Sequence, residues 1–305
     1  MLNVCPWRGL YPNLGGRSVS LEPAPDGCAD VPWPLINLAV SFLAFGIMAR
    51  ITPCNPGQRA FVSGDLADNV LYWFMGVLFF GDVAGFYIRT GAALVFGTGG
   101  PAAANAIFAG FGPASHLPLA LQALLIIVAM DFVQYWLHRL FHGDMLWPFH
   151  AVHHSAKDLD WTTTYRIHPV NFVIYSAGAV ALVRLIGFSP AAFVIIGPFN
   201  LVIGSLVHAN LNWTWGPFRY VIASPVYHRW HHVNEPAIYN RNFAPTFPVF
   251  DLIFGTFYMP KGELPRVYGV DGVPPHFLGQ LIYPFRVIAE RLGLPRKAGA
   301  GQAAA

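Results

Sequence analysis

The 305-residue chain is 55% hydrophobic and 15% aromatic, and only 11% of it is charged, with a formal net charge of +3. Soluble domains carry about 25% charged residues, so this composition reads as a membrane protein, and so small a net charge gives no basis for nucleic-acid binding. The three cysteines, Cys5, Cys28 and Cys54, fit neither zinc-finger nor iron–sulfur spacing.

Residues 1–30 mix charges, prolines and glycines and lack the apolar run of a signal peptide. Cys5 and Cys28 can pair only in an oxidising compartment. Five apolar stretches then approach the ~20 residues that span a bilayer. They are 33–49, 68–88, 118–141, 170–187 and 190–213, with Gly187-Phe188-Ser189-Pro190 as the turn between the last two. Segment 91–116, rich in Gly, Ala and Pro, is apolar but broken and predicts a loop or re-entrant piece. Residues 297–305, mostly Ala and Gly, predict a disordered end.

Orientation follows from Lys and Arg placement. Arg50 and Arg59 follow the first stretch, Arg139, Lys157 and Arg166 the third, and Arg219, Arg229, Arg241, Lys261 and Arg266 the fifth. With five spans all these groups share one side, which is then cytoplasmic. The expected fold is all-α: a polytopic membrane protein with about five transmembrane helices and a cytoplasmic helical cap.

That cap carries eight histidines in three clusters: His138 and His142, then His150, His153 and His154, then His228, His231 and His232. Residues at i, i+3 and i+4 share a helix face, so each cluster can present its rings together. One metal ion cannot use eight rings, and two can. His208, at the same level of the fifth stretch, is a ninth candidate. Ser224-Pro225 is a helix start, with Ser as N-cap and Pro in the first turn, and Trp147-Pro148 precedes His150 similarly. No His-Glu-x-x-His occurs, and so many nitrogen donors suit a dinuclear redox centre better than a three-ligand zinc site.

Around these lie polar residues in apolar surroundings. Asp131 is costly inside a span; either it hydrogen-bonds a ligand histidine from another segment or it bonds a Tyr or Trp in a packed helix interface. Asn210 and Asn212 stand where Leu would be expected, as partners for water or metal. His168, in Arg166-Ile167-His168-Pro169, is either part of the shell around the ligands or a helix-start residue. The aromatic run Phe243 to Tyr258 packs over the site, lines a lipid channel or fills the core, with core the preferred reading.

The string Asp131-Phe132-x-x-Tyr135-x-x-His138-Arg139-x-x-His142, then His150-x-x-His153-His154-Ser155, Arg166-x-His168-Pro169, His208-x-Asn210, Pro225-x-x-His228-Arg229-x-His231-His232 and Asp251-x-x-Phe254-Gly255-Thr256, resembles the fatty acid hydroxylase/sterol desaturase superfamily. The resemblance implies three regions: an N-terminal membrane region, 1–117, with no match; a catalytic region, 118–260; and a C-terminal tail, 261–305. It implies a histidine-ligated di-iron enzyme that uses O2 to hydroxylate or desaturate a membrane lipid such as a sterol or fatty-acyl chain, with zinc as a substitute metal in isolated protein. The nine histidines would be the ligands, with Asp131, His168, Asn210, Asn212 and Asp251 around them.

Lipid 2-hydroxylases of this superfamily carry a further histidine four residues after the position of His208, where this chain has Asn212. A fused cytochrome b5 domain with His-Pro-Gly-Gly is absent too. Lacking flavin, nicotinamide and iron–sulfur signatures, the chain needs an external electron donor, cytochrome b5-like or a ferredoxin/reductase pair. The expected location is an integral membrane one, the inner membrane in bacteria or the endoplasmic reticulum in eukaryotes. The competing readings are a non-redox zinc membrane hydrolase and a metal-binding membrane protein such as a transporter.

Overall fold

The computed structural model describes residues 33–59, 61–178 and 183–294. The expectations for Cys5, Cys28 and residues 297–305 lie outside them. Among the described residues there is no β-strand, only an isolated bridge between Val233 and Tyr268. The helices are α1 (Trp33–Ile51), α2 (Leu66–Phe96), α3 (Pro101–Ala109), α4 (Leu119–Phe141), α5 (Trp147–His154), α6 (Pro169–Asn171), α7 (Pro190–His208), α8 (Pro225–His231), α9 (Val249–Ile253) and α10 (Phe277–Arg291). A π-helix, Phe172–Ala177, continues α6.

Among the described residues two helices are long and apolar enough to cross a membrane, α4 and the Ala191–His208 stretch of α7, with shorter apolar helices at Leu35–Ile51 and Leu66–Phe79. Large apolar side chains stand exposed along them, among them Leu43, Leu78, Phe79, Leu124 and Val202. In water such a surface would be unfavourable, whereas hydrocarbon satisfies it. α4 and α7 pack through Ile126, Met130, Ala192 and Ile196. The turn before α7 depends on Gly187, whose φ is 89 and whose backbone lies so close to the Phe111 carbonyl that a Cβ would sit 1.9 Å from its oxygen.

Three segments depart from the sequence expectation. The 91–116 region is largely helical. α2 runs on to Phe96, Gly97 ends it in the left-handed conformation at φ 70, and α3 folds back to pack Ala103 and Ile107 on Ala92. The fifth apolar stretch stops being helical at His208, five residues early, because Ala209 turns extended and Asn210 bonds the backbone of Asn55 instead. Residues 277–291, expected within a tail, form a helix docked on α5, with Phe285 against Phe149 and the Leu281 carbonyl 3.1 Å from His168.

Candidate metal centre

α4 and α7 end side by side, and the histidines gather at those ends. His138 sits in the last turn of α4 with His142 as its C-cap, and His208 is the last residue of α7. Trp147-Pro148 opens α5 with His150, His153 and His154, and Ser224 caps α8 by accepting from the Tyr227 amide at 3.1 Å, placing His228, His231 and His232 in the following turns. Each short helix divides its rings. The i, i+4 pairs His150/His154 and His228/His232 each face one way, and the third ring of each triplet faces about a quarter-turn aside.

Two groups result. His138, His142, His150, His154 and His231 form one, and His153, His208, His228 and His232 the other; within each, the ligand atoms all lie within 4.8 Å of one another. The groups adjoin through His154 and His232, whose rings stack at 4.4 Å.

Whether a cation fits is decided by where the protons are. Nδ1–H of His138 donates to the Phe243 carbonyl at 2.7 Å, that of His208 to the Gly204 carbonyl at 2.7 Å, that of His153 to the Arg166 carbonyl at 3.2 Å, and that of His231 to the Arg241 carbonyl at 2.7 Å. A carbonyl only accepts, so each of these rings keeps its proton on Nδ1 and turns a bare Nε2 lone pair inward. Burial, reinforced by neighbouring rings, holds His142, His150, His153, His154, His228, His231 and His232 well below the ordinary histidine pKa, so they are neutral.

His153 Nε2 and His208 Nε2 therefore face each other at 3.2 Å with no proton between them. Two lone pairs at that distance repel, and a shared Lewis acid turns the repulsion into coordination. In the five-histidine group, the buried Nε2 atoms of His142, His154 and His231 have no hydrogen-bond partner among the described residues. An all-imidazole donor set suits zinc, copper, iron or nickel. Apolar rings close the site: Phe243 lies 5.0–5.9 Å from the rings of His138, His142 and His231, and Trp147 lies 5.1 and 5.3 Å from those of His142 and His154.

The carbonyl acceptors are held in turn. Asn240 and Asn242 adopt left-handed φ of 62 and 57, conformations Asn tolerates, and the tight loop aims the Arg241 and Phe243 carbonyls at His231 and His138. Asp251 fixes this loop by accepting from the amides of Phe243 and Ala244, both at 2.8 Å, and from the hydroxyls of Thr256 and Tyr227. Asp131 accepts from the amides of Thr246 and Phe247 at 2.7 and 2.8 Å. It touches the loop that supports the ligands and bonds none of the histidines, because two turn amides require an acceptor there.

The four-histidine group leans on two buried arginines. Arg166, whose carbonyl receives His153, bonds Asn69, Ser155 and Asp65, the last as a 2.7 Å ion pair. Arg229 donates to the carbonyls of Leu159 and His208 and to Tyr268, Asn55 and Gln58.

Three other expected residues lie apart from the metal groups. His168 caps α6 by accepting from the Val170 amide, the helix-start role. Asn210 ties down Asn55, and Asn212 is exposed in the loop after α7. Sequence reasoning missed the carbonyl acceptors, which leave no residue-type signal, and Trp147, Asn240, Asp65 and Asn69. The aromatic run does two of the things expected of it: Phe243 covers the rings while Phe257 and Tyr258 pack on the core.

Residues 123–256 match the fatty acid hydroxylase family, a span that holds all nine histidines. The chain is 35% identical over 170 residues to the ornithine lipid hydroxylase OlsE of Rhizobium tropici, covering 55% of this chain and 51% of that one. It is 30% identical over 151 residues to an alkylglycerol monooxygenase of Xenopus tropicalis, 48% of this chain and 32% of the relative. It is 33% identical over 193 residues to a very-long-chain aldehyde decarbonylase of Oryza sativa subsp. indica, 56% and 30%. The chain thus spans about half or less of the length of these relatives. No solved structure matches it. The histidine-bearing stretch is thus similar to the fatty acid hydroxylase family and to lipid-oxidising relatives.

Proposed function

We propose that this chain is a member of the fatty acid hydroxylase family and oxidises a C–H bond of a membrane lipid with O2, at two irons held by the nine histidines. The observation that carries the metal reading is the pair of bare Nε2 atoms of His153 and His208 facing each other at 3.2 Å. Bound iron supplies the activation of O2 that an unactivated carbon requires. Hydroxylation gives alcohol and water and consumes two electrons and two protons; desaturation gives an alkene and two waters from the same inputs.

The residues of this chain do the rest. The Phe243, Arg166, Gly204 and Arg241 carbonyls fix tautomer and ring orientation. Phe243 and Trp147 keep water away from the inward-facing nitrogens. The ends of α4 and α7 set the centre at the end of apolar helices, where a lipid can deliver its carbon without leaving the bilayer. The electrons come from a separate protein, cytochrome b5-like or a ferredoxin with its reductase. The site faces the cytoplasm, a reading that the Lys and Arg distribution supports.

The test is metal analysis together with lipid analysis. Protein from iron-replete cells should hold about two irons per chain. Lipid extracts of expressing cells should contain species heavier by one oxygen or lighter by two hydrogens, dependent on O2 and on reductant. Zinc in both positions of active protein, or unchanged lipids beside fully iron-loaded protein, overturns the reading.

A further inference from the structure

The fourth apolar stretch begins with a defect. After α6 the chain passes into a π-helix, Phe172–Ala177. Single π-turns are rare and concentrate at functional sites, since a regular helix is more stable. This one sets Tyr175 against the metal centre, its ring edge-on to His138 with centroids 5.7 Å apart. Tyr175 is half-buried, and its hydroxyl makes no hydrogen bond with any described residue.

One turn earlier stands a second unmet donor. Asn171 is 1% exposed, and its Nδ2 has no partner among the described residues. Residues at i and i+4 share a face, so the two donors belong to one strip of this helix. For Asn171, whose donor is buried and unmet, this costs about 1–3 kcal/mol. Phe141 and Phe243, which also touch the His138 or His150 rings, offer no hydrogen-bond donor.

We propose that Tyr175, with Asn171 before it, forms a subsite for an oxygen atom of the lipid substrate beside His138. The carbon brought to the metal centre then lies within a few bonds of a carbonyl or ether oxygen and not deep in the hydrocarbon chain. The placement of the histidines agrees: His138 and His208 lie in the last turns of their helices, where lipid headgroups meet the hydrocarbon. The inference rests on the lipid-oxidising reading and names the part of the lipid that the centre receives.

The test uses metal-loaded full-length protein in phosphatidylcholine vesicles doped with either of two photoreactive phospholipids. One carries its diazirine beside the ester carbonyl, the other near the chain terminus. The carbonyl-side probe should label the peptide containing Tyr175 about fivefold more than the terminal probe, the factor that one net hydrogen bond supplies. Tyr175→Phe, which keeps the ring, should erase that preference while metal content stays at the wild-type value. Equal labelling by the two probes, a preference for the terminal probe, or a preference that survives in Tyr175→Phe overturns the subsite. Carbonyl-side labelling without any O2-dependent lipid oxidation leaves the subsite standing and removes the oxygenase reading instead.

Discussion

The two histidine groups differ in what holds them. The five-histidine group is supported from the C-terminal side, by the Asn240–Phe247 loop that Asp251 and Asp131 pin down. The four-histidine group is supported from the N-terminal side, through Arg166 and Arg229, whose partners Asn55, Gln58, Asp65 and Asn69 all precede the family-matching stretch. One half of the centre is thus held by parts that travel with the motif. The other half borrows supports from outside it, so a domain boundary drawn at residue 118 cuts through them.

Removing a ligand tests the comparison most strongly. The four-histidine group has no donor to spare, and the five-histidine group has one more. His208→Ala should bring metal content from about two ions per chain to about one and abolish turnover, because the loss removes both a bond and the site's geometry. His142→Ala, which removes a half-buried ring from the larger group, should retain more metal than His208→Ala when both are measured by plasma mass spectrometry. Equal losses would mean that the groups act as one unit and that the comparison fails.

Arg229 comes next. It is fully buried and no carboxylate among the described residues pairs with it; its partners are carbonyls, a phenol and side-chain amides. Arg229→Met leaves those acceptors unsatisfied, at about 2–4 kcal/mol in total after relaxation. Thermal unfolding in detergent should drop accordingly, and the metal lost first on mild chelation should be a single ion per chain. A melting temperature equal to wild type would show that water replaces the guanidinium.

Asp251→Asn probes the other support. The change turns one acceptor oxygen into a donor facing the Phe243 or Ala244 amide. The loop should shift, moving the carbonyls that orient His138 and His231. Residues one step removed from a metal typically control affinity by 10–100-fold, and that loss is expected for one of the two binding steps. Loss of both metals together would put Asp251 under the whole centre.

Much of the site was legible because imidazole spacing is a chemical signal that survives without structure. The three clusters and the starts of α5 and α8 follow from residue type and helical period alone. What stayed hidden was carried by main-chain atoms and by long-range pairing. Arg166 and Arg229 count as surface charges when orientation is read from Lys and Arg, yet both are buried supports. Asp131 announced itself as costly in a span, but its partners, the Thr246 and Phe247 amides, lie 115 and 116 residues on and have no side-chain signature. The end of α7 was misplaced because Ala209 and Leu211 continue the apolar run, while the contact that breaks the helix, Asn210 with Asn55, is tertiary.

The smallest expected effect is also the one most specific to the borrowed support. Asp65 pairs with Arg166 at 2.7 Å, and its second oxygen accepts from the amides of Lys157 and Asp158, both at 2.9 Å. Asp65→Asn keeps the volume and one carbonyl oxygen. Arg166 retains Asn69, Ser155 and the Asp65 main-chain carbonyl. The side chain of Asp65 is 17% exposed, which places the pair between a buried bridge and a surface one. The expected cost is about 1 kcal/mol, below that of a fully desolvated charged hydrogen bond. Because the Arg166 carbonyl holds Nδ1 of His153, that cost should fall on the four-histidine group as roughly a fivefold weaker binding step, with the other step unchanged. A metal titration of the variant that weakens both steps equally, or only the step lost in Asp251→Asn, would show that the N-terminal support does not belong to one half of the centre.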